Sequence, residues 1–218
     1  MLEKILTQDG SYSLYDSDLK ETFHSRKGAL TESIHVYISE GLDFFLKNKL
    51  NIISLEVFEM GFGTGLNAVL SKRFAELNKI KINYTCIDKY PLSDIIIKSV
   101  KVNDLSNNEI DILNCNWDET NHISDFFQIH KIYDDFSNIN YKNYFDIIFY
   151  DAFAYHAQPH MWSEVVLKKS IDLLKKNGIW ISYCAKGEVR RLLQKLGLVV
   201  YRIPGPPGKR EMLRGIKV

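Results

Sequence analysis

Two rhythms of apolar and polar positions divide this chain. Short, dense apolar runs of strand length recur at residues 55–60 (LEVFEM), 82–88 (INYTCID), 129–135 (IHKIYDD), 145–153 (FDIIFYDAF), 178–185 (GIWISYCA), 198–203 (LVVYRI) and 210–218 (REMLRGIKV). Between them the spacing changes to the three-to-four residue period of a helix, at 32–46, 66–77, from Pro91 to about Val102, at 162–174 and at 188–196. Thr31 or Ser33 can cap the first helix, and Pro91 suits a first helical turn. Asn177-Gly178 and Gly197 are expected to stop the last two helices. Residues 104–125 keep neither rhythm and are read as a helix or loop insertion.

Alternating strands and helices predict a doubly wound α/β sheet with helices on both faces. The last two runs are joined by PGPPGK, a reverse turn, which predicts one antiparallel edge strand. The expected fold is therefore a Rossmann-like sheet of seven strands, mostly parallel, with an antiparallel last strand. Residues 1–30 are polar but carry Tyr12, Tyr15, Phe23 and His24, too many rings for a disordered tail.

Composition narrows this picture only a little. The chain has 218 residues, 45 % of them apolar, enough for one buried core. No run of about 18 apolar residues predicts a membrane span, and residues 1–15 lack the apolar core of a secretory signal. Cys86, Cys115 and Cys184 lie far apart with no CxxC pair. Buried thiols in a reducing, cytoplasmic setting are expected, without zinc. The net charge is only +1. Its distribution is uneven, however. From Lys186 onward there are nine basic residues against Glu188 and Glu211, which fits either a polyanionic partner or a solvated basic face.

The most informative stretch lies where the first strand meets its helix, at FEMGFGTGLN. Gly61, Gly63 and Gly65 alternate after Glu59, and alternate glycines let main chain turn tightly and approach a bulky ligand. A dinucleotide fingerprint would place its third glycine at Leu66, so ExGxGxG looks instead like the cofactor loop of S-adenosylmethionine-dependent methyltransferases. Asp88 ends the second strand at about the 20-residue spacing where an acid accepts hydrogen bonds from ribose hydroxyls, or else it caps the helix after Pro91. Asp134 and Asp135 end the third strand. Asp135 is the preferred acid for an adenine amino group, with a turn cap as the other role. Glu59 can receive the ammonium of a methionine moiety, directly or through water. Asp151 ends the fourth strand before a proline-containing loop, where a carboxylate can orient an amine and take up its proton. Trp162, Phe153 and Tyr155 form either an aromatic wall or ordinary core. Pro159 breaks any helix between His156 and His160, so no metal is expected there, and no Ser-His-Asp arrangement or P-loop lysine is recognisable.

Several stretches taken in order carry a resemblance: GSYSLYDSDLKETFHSRKGALTESIHVYI, FEMGFGTGLNAVL, CIDKYPL, FDIIFYDAFAYHAQPHMWS and PGPPGKREMLRG. Together they resemble the methyltransferase part, and the stand-alone relatives, of the bifunctional tRNA 5-methylaminomethyl-2-thiouridine biosynthesis proteins. The resemblance covers most of the chain except about residues 103–130. It implies methyl transfer from S-adenosylmethionine, without FAD or metal, to the aminomethyl group of a wobble uridine in tRNA. It implies a leader at 1–50 packed on a methyltransferase domain at 51–218. By the match, Gly61, Gly63 and Gly65 form the cofactor loop, with Asp88 toward the ribose and Asp135 toward the adenine. Asp151 is the acid of the active centre. Phe23 and Ser25 line the pocket from the leader, Lys209 and Arg210 stand near the active centre, and Trp162 belongs to the substrate side. The tRNA anticodon region would meet the basic C-terminal segment, and no membrane is involved. A small-molecule N- or O-methyltransferase, or a catalytically inactive RNA-binding module of the same fold, are the other readings.

Overall fold

The computed structural model describes residues 1–49, 52–100 and 107–218. The leader does not stay irregular. Strands β1 (Leu2–Leu6), β2 (Tyr12–Asp16) and β3 (Glu21–Thr22) form a small antiparallel sheet. A helix follows in three parts, α1 (Ala29–Ser33), a π-helical stretch (Ile34–Asp43) and α2 (Phe44–Lys47). Neither Thr31 nor Ser33 caps it. Asp9 does so from the leader, accepting from the Thr31 N–H at 2.9 Å and the Thr31 hydroxyl at 2.8 Å. Hydrogen bonds from the Ser11 and Thr7 hydroxyls help hold that carboxylate charged.

The main sheet is built from β4 (Ser54–Met60), β5 (Lys81–Asp88), β6 (Thr120–Ser124), β7 (Phe127–Tyr133), β8 (Phe145–Tyr150), β9 (Leu174–Ser182), β10 (Leu198–Pro204) and β11 (Glu211–Lys217). Their order is β10-β11-β9-β8-β4-β5-β7-β6. All seven expected strands are present, and β6 adds an eighth along the β7 edge, pairing antiparallel. The five strands β9, β8, β4, β5 and β7 are mutually parallel. The antiparallel strand β11 is not the edge. It inserts between β9 and β10, so β10 is outermost.

Helices α3 (Leu66–Asn78), α4 (Asp94–Ser99), α5 (Asn107–Asn114), α6 (Glu164–Leu173) and α7 (Gly187–Lys195) complete the chain. The apolar runs are continuous because the central strands are buried on both faces. Along β4, Leu55 and Val57 join the core shared with Val36, Tyr37, Ala68, Val69 and Ile112. Phe58 and Met60 join the opposite core, with Leu167, Ile171, Val189 and Leu193.

Three local expectations are corrected. Helix α6 ends at Leu173, not at Asn177-Gly178. Leu174 is already extended, and the pairing of β8 with β9 slips between Phe145 and Ile147. Asn177 takes a left-handed φ of 61° in that irregularity, and a Cβ on Gly178 would lie 2.9 Å from the Asp146 carbonyl. Pro91 precedes α4 without joining it. The unreadable segment contains α5 and β6, and its residues 104–106 lie outside the described residues.

Candidate active site at the carboxyl ends of the central strands

A cavity of about 980 Å³ opens where β4, β5, β7 and β8 end. This is the crevice in which open α/β sheets hold ligands, and its size suits a small-molecule site. The leader, from Leu2 to Ser25, forms one wall.

The glycine loop forms the floor. Gly61, Gly63 and Gly65 all have positive φ, at 85°, 53° and 77°. Gly65 opens α3, and a Cβ there would lie 2.5 Å from Leu113 Cδ2 and 2.8 Å from Phe62 Cζ. The loop is tied to β5, because the Gly61 N–H donates to the Ile87 carbonyl at 2.9 Å and the Gly63 N–H to Asp88 Oδ2 at 3.2 Å. Asp88 Oδ1 accepts from the Tyr90 N–H at 2.9 Å. It thus organises the turn after β5 while facing the cavity, and it does not cap α4, whose N-cap position is Ser93. Open main chain over alternate glycines, beside an acceptor at the end of β5, fits a bulky nucleoside-type cofactor.

Asp135 also lines the cavity. Its Oδ1 accepts from the Ser137 N–H at 2.8 Å, capping a short 3-10 turn (Phe136–Asn138), and Lys89 Nζ lies 2.7 Å from Oδ2. The lysine and the cap hold this carboxyl well below the usual carboxylate range. Its capping alternative is therefore realised in the structure.

Asp151 stands at the opposite end of the same crest. Its carbonyl lies 3.4 Å from where a Gly61 Cβ would be. The Tyr37 hydroxyl donates to Oδ1 at 2.6 Å, and Asn67 Nδ2 donates to Oδ2 at 2.9 Å. Asn67 Nδ2 also donates to Glu59 Oε1 at 2.7 Å. One buried amide therefore joins two carboxylates. Burial pushes Asp151 up to about 7, against the pull of its two donors. Burial and the neighbouring Asp151 push Glu59 up as well. Glu59 is 1 % exposed and does not reach the cavity, so it acts on the wall only through Asn67.

The remaining expected residues separate into two groups. Phe23, Ser25 and Lys209 line the cavity. The Phe23 ring packs edge-on against Phe153 at 4.9 Å and lies against Gly63. The Ser25 N–H donates to Glu32 Oε2 at 2.7 Å, and Lys209 Nζ donates to Glu32 Oε1 at 2.6 Å. Trp162 and Arg210 are not on the wall. Trp162 is 2 % exposed, donates its indole N–H to the Phe153 carbonyl at 2.9 Å, and shapes the β8 loop from beneath. Arg210 is exposed beyond the mouth. His160 lines the cavity, whereas His156 pairs with Glu21 at 3.0 Å. No cluster of three metal-ligating side chains occurs among the described residues.

Three residues of the site were not anticipated: Tyr37, Asn67 and Glu32. His24 also lines the cavity, with Nδ1 3.0 Å from the Ser13 hydroxyl, and burial lowers it to about 4, leaving it neutral. A polar residue on the apolar face of a helix is the only signal that could have marked Tyr37 or Glu32.

Comparison with known proteins agrees with this geometry. Residues 122–218 match a family model described as S-adenosyl-L-methionine-dependent methyltransferase. The tRNA 5-methylaminomethyl-2-thiouridine biosynthesis bifunctional protein MnmC of Actinobacillus pleuropneumoniae is 26 % identical over 219 residues, covering 90 % of this chain and 32 % of that protein. The MnmC of Leptospira borgpetersenii is 27 % identical over 215 residues, covering 89 % and 32 %. The chain thus spans about a third of the length of these relatives. Among solved structures, MnmC2 from Aquifex aeolicus shares the fold with a TM-score of 0.78 and 23 % identity, over 99 % of this chain and 70 % of that one.

Proposed function

We propose that this chain, an MnmC-like S-adenosylmethionine-dependent methyltransferase, methylates the aminomethyl nitrogen of a modified wobble uridine in tRNA. The observation that carries the reading is the placement of Asp151. A carboxylate raised to about 7 faces the cavity beside the glycine loop, held by Tyr37 and Asn67. The relatives named for tRNA 5-methylaminomethyl-2-thiouridine biosynthesis support the choice of acceptor.

Gly61, Gly63 and Gly65 would hold the cofactor by main-chain approach, with Asp88 accepting its ribose hydroxyls and Asp135 on the adenine side. When bound, S-adenosylmethionine supplies an activated methyl group on a sulfonium. The chain's own task is then to present a neutral amine in line and in a dry site. An ionised acid beside an amine favours the ammonium, which cannot attack. Asp151 at about 7 is only partly charged near neutrality, so it stabilises the ammonium less than an ordinary surface carboxylate would. Its ionised fraction can still accept the proton that the nitrogen must lose. Tyr37 and Asn67 fix the orientation of the two carboxylate oxygens. Phe23 and Phe153 exclude water from the leader side.

Cytoplasmic placement is part of the same proposal. Among the described residues no helix is long and apolar enough to cross a membrane.

The test is transfer of labelled methyl to tRNA carrying the aminomethyl group, run beside the free nucleoside and simple amines. Labelling of the wobble position is expected. Labelling of the small molecules with tRNA left unlabelled would replace the acceptor. Failure to bind S-adenosylmethionine by calorimetry would remove the reaction itself.

A further inference from the structure

The basic character of residues from Lys186 onward does not translate into one basic surface, because much of it is engaged within the fold. Arg214 is 8 % exposed and meets Glu40 at 2.7 Å. Lys217 Nζ donates to the Ile171 and Leu174 carbonyls at 2.9 and 2.8 Å. Lys195 pairs with Glu164 at 2.8 Å and Arg202 with Glu211 at 3.4 Å.

A different set of exposed cations lies close in sequence to cavity residues. Lys27 is exposed two residues after Ser25, and its Cγ lies 2.8 Å from where a Gly208 Cβ would be. That contact brings the leader against the loop carrying Lys209 and the exposed Arg210. Lys186 is exposed three residues after Tyr183, a cavity residue, and its Nζ sits 3.4 Å over the Tyr155 ring, next to cavity residue Ala154. Its nearest acid is Glu188 at 3.7 Å, itself 64 % exposed. Of the lysines on the wall itself, Lys209 is paired with Glu32, Lys89 with Asp135, and Lys169 donates to the Ser137 carbonyl.

We infer that Lys27, Lys186 and Arg210, drawn from three distant parts of the chain, form the rim that grips RNA phosphates while one base enters the cavity. The inference rests on the RNA reading above and deepens it. Exposed, flexible cations suit the phosphate backbone, which sets affinity and register, while the cavity reads the splayed base. Pairing removes Lys195 and Arg202 from that role.

The experiment is a salt titration of binding to unfractionated tRNA, followed by fluorescence anisotropy. It compares wild type, a rim variant (Lys27→Gln, Lys186→Gln, Arg210→Gln) and a flank variant (Lys195→Gln, Arg202→Gln). The rim variant is expected to lose roughly 10- to 100-fold in affinity at about 0.1 M salt and to flatten the log–log salt slope by about 2 to 3, near 0.7–0.9 per lost contact. The flank variant should stay within about twofold. Cofactor binding by calorimetry reports whether the rim variant is folded. If it is not, Lys186→Gln and Arg210→Gln are measured singly, each expected to remove close to one contact. An unchanged slope in the rim variant, or an equal loss in the flank variant, overturns the rim and leaves the RNA reading standing. Wild type that binds S-adenosylmethionine but no tRNA at any salt ends both.

Discussion

Asp135 and Asp151 are the same residue type, set at the carboxyl ends of two parallel strands and facing one cavity, yet they are driven in opposite directions. Asp135 stands in a half-exposed turn with Lys89 and an N–H donor, and its carboxyl is held low. Asp151 has two neutral donors, and burial wins over both, lifting it to about 7. The difference shows that donor count alone does not set a carboxyl's charge. Near solvent, hydrogen bonds from Lys89 and Ser137 outweigh a small desolvation cost, whereas at full burial desolvation outweighs two hydrogen bonds. It also divides the labour of the site. The open end keeps a permanent negative charge, and the closed end keeps a carboxyl that titrates near neutrality, the division that the proposed reaction would use.

The largest effect should come from Asp151→Asn. Turnover is expected to fall about 10²- to 10⁴-fold with cofactor affinity changed less than about threefold. Single-turnover methyl transfer and calorimetry measure the two, and comparable losses in both would make Asp151 a binding residue instead. Next is Gly65→Ala. A left-handed φ of 77° and a Cβ driven into Leu113 and Phe62 should cost about 1–3 kcal/mol in denaturant unfolding and weaken cofactor binding. Tyr37→Phe should act on one side of the comparison only. Losing a donor to the ionised form raises Asp151 further, so the acid limb of kcat/KM should move up by about one pH unit, with activity recovering in base. An unmoved limb would detach Asp151 from the pH dependence.

The smallest effect concerns stability against pH. Asp151 is raised in the folded state, so it favours folding below the unfolded value of about 3.9, and that contribution is lost as pH climbs through about 7. Asp135 is lowered, so its contribution is present above about 3.9 and disappears as pH falls further. The melting temperature of Asp151→Asn relative to wild type should therefore be more favourable at pH 8 than at pH 5. Asp135→Asn should not share that trend across the same range.

Much of this architecture could be read from the order of residues. The seven apolar runs became strands, and the central ones are buried on both faces, which leaves a signal that needs no partner to interpret, while β10 at the edge keeps an exposed face. The glycine loop and the acids at the strand ends were legible for the same reason, since their position follows from the strand. What escaped depends on distant partners. Strand β6, of sequence TNHIS, carries Ile123 as its one apolar residue and so shows no apolar alternation to betray it, and it pairs with β7. The three leader strands are short, and β1 is largely solvated. Tyr37 finds Asp151, and Glu32 finds Lys209, across most of the chain. No local pattern encodes such encounters. In the basic C-terminal segment the charge was visible in sequence, whereas the pairing of Arg214 with Glu40 and of Lys195 with Glu164 was not.

The Glu32–Lys209 contact has a consequence for biogenesis. The wall it secures joins residue 32 to residue 209, and β11, which follows Lys209, lies inside the sheet rather than along its border. A ribosome-bound chain halted before that hairpin would own the glycine loop and its acids, yet lack the clasp that shuts the leader over them. Competence to hold a ligand should thus follow the entry of β11 into the sheet rather than the formation of the glycine loop.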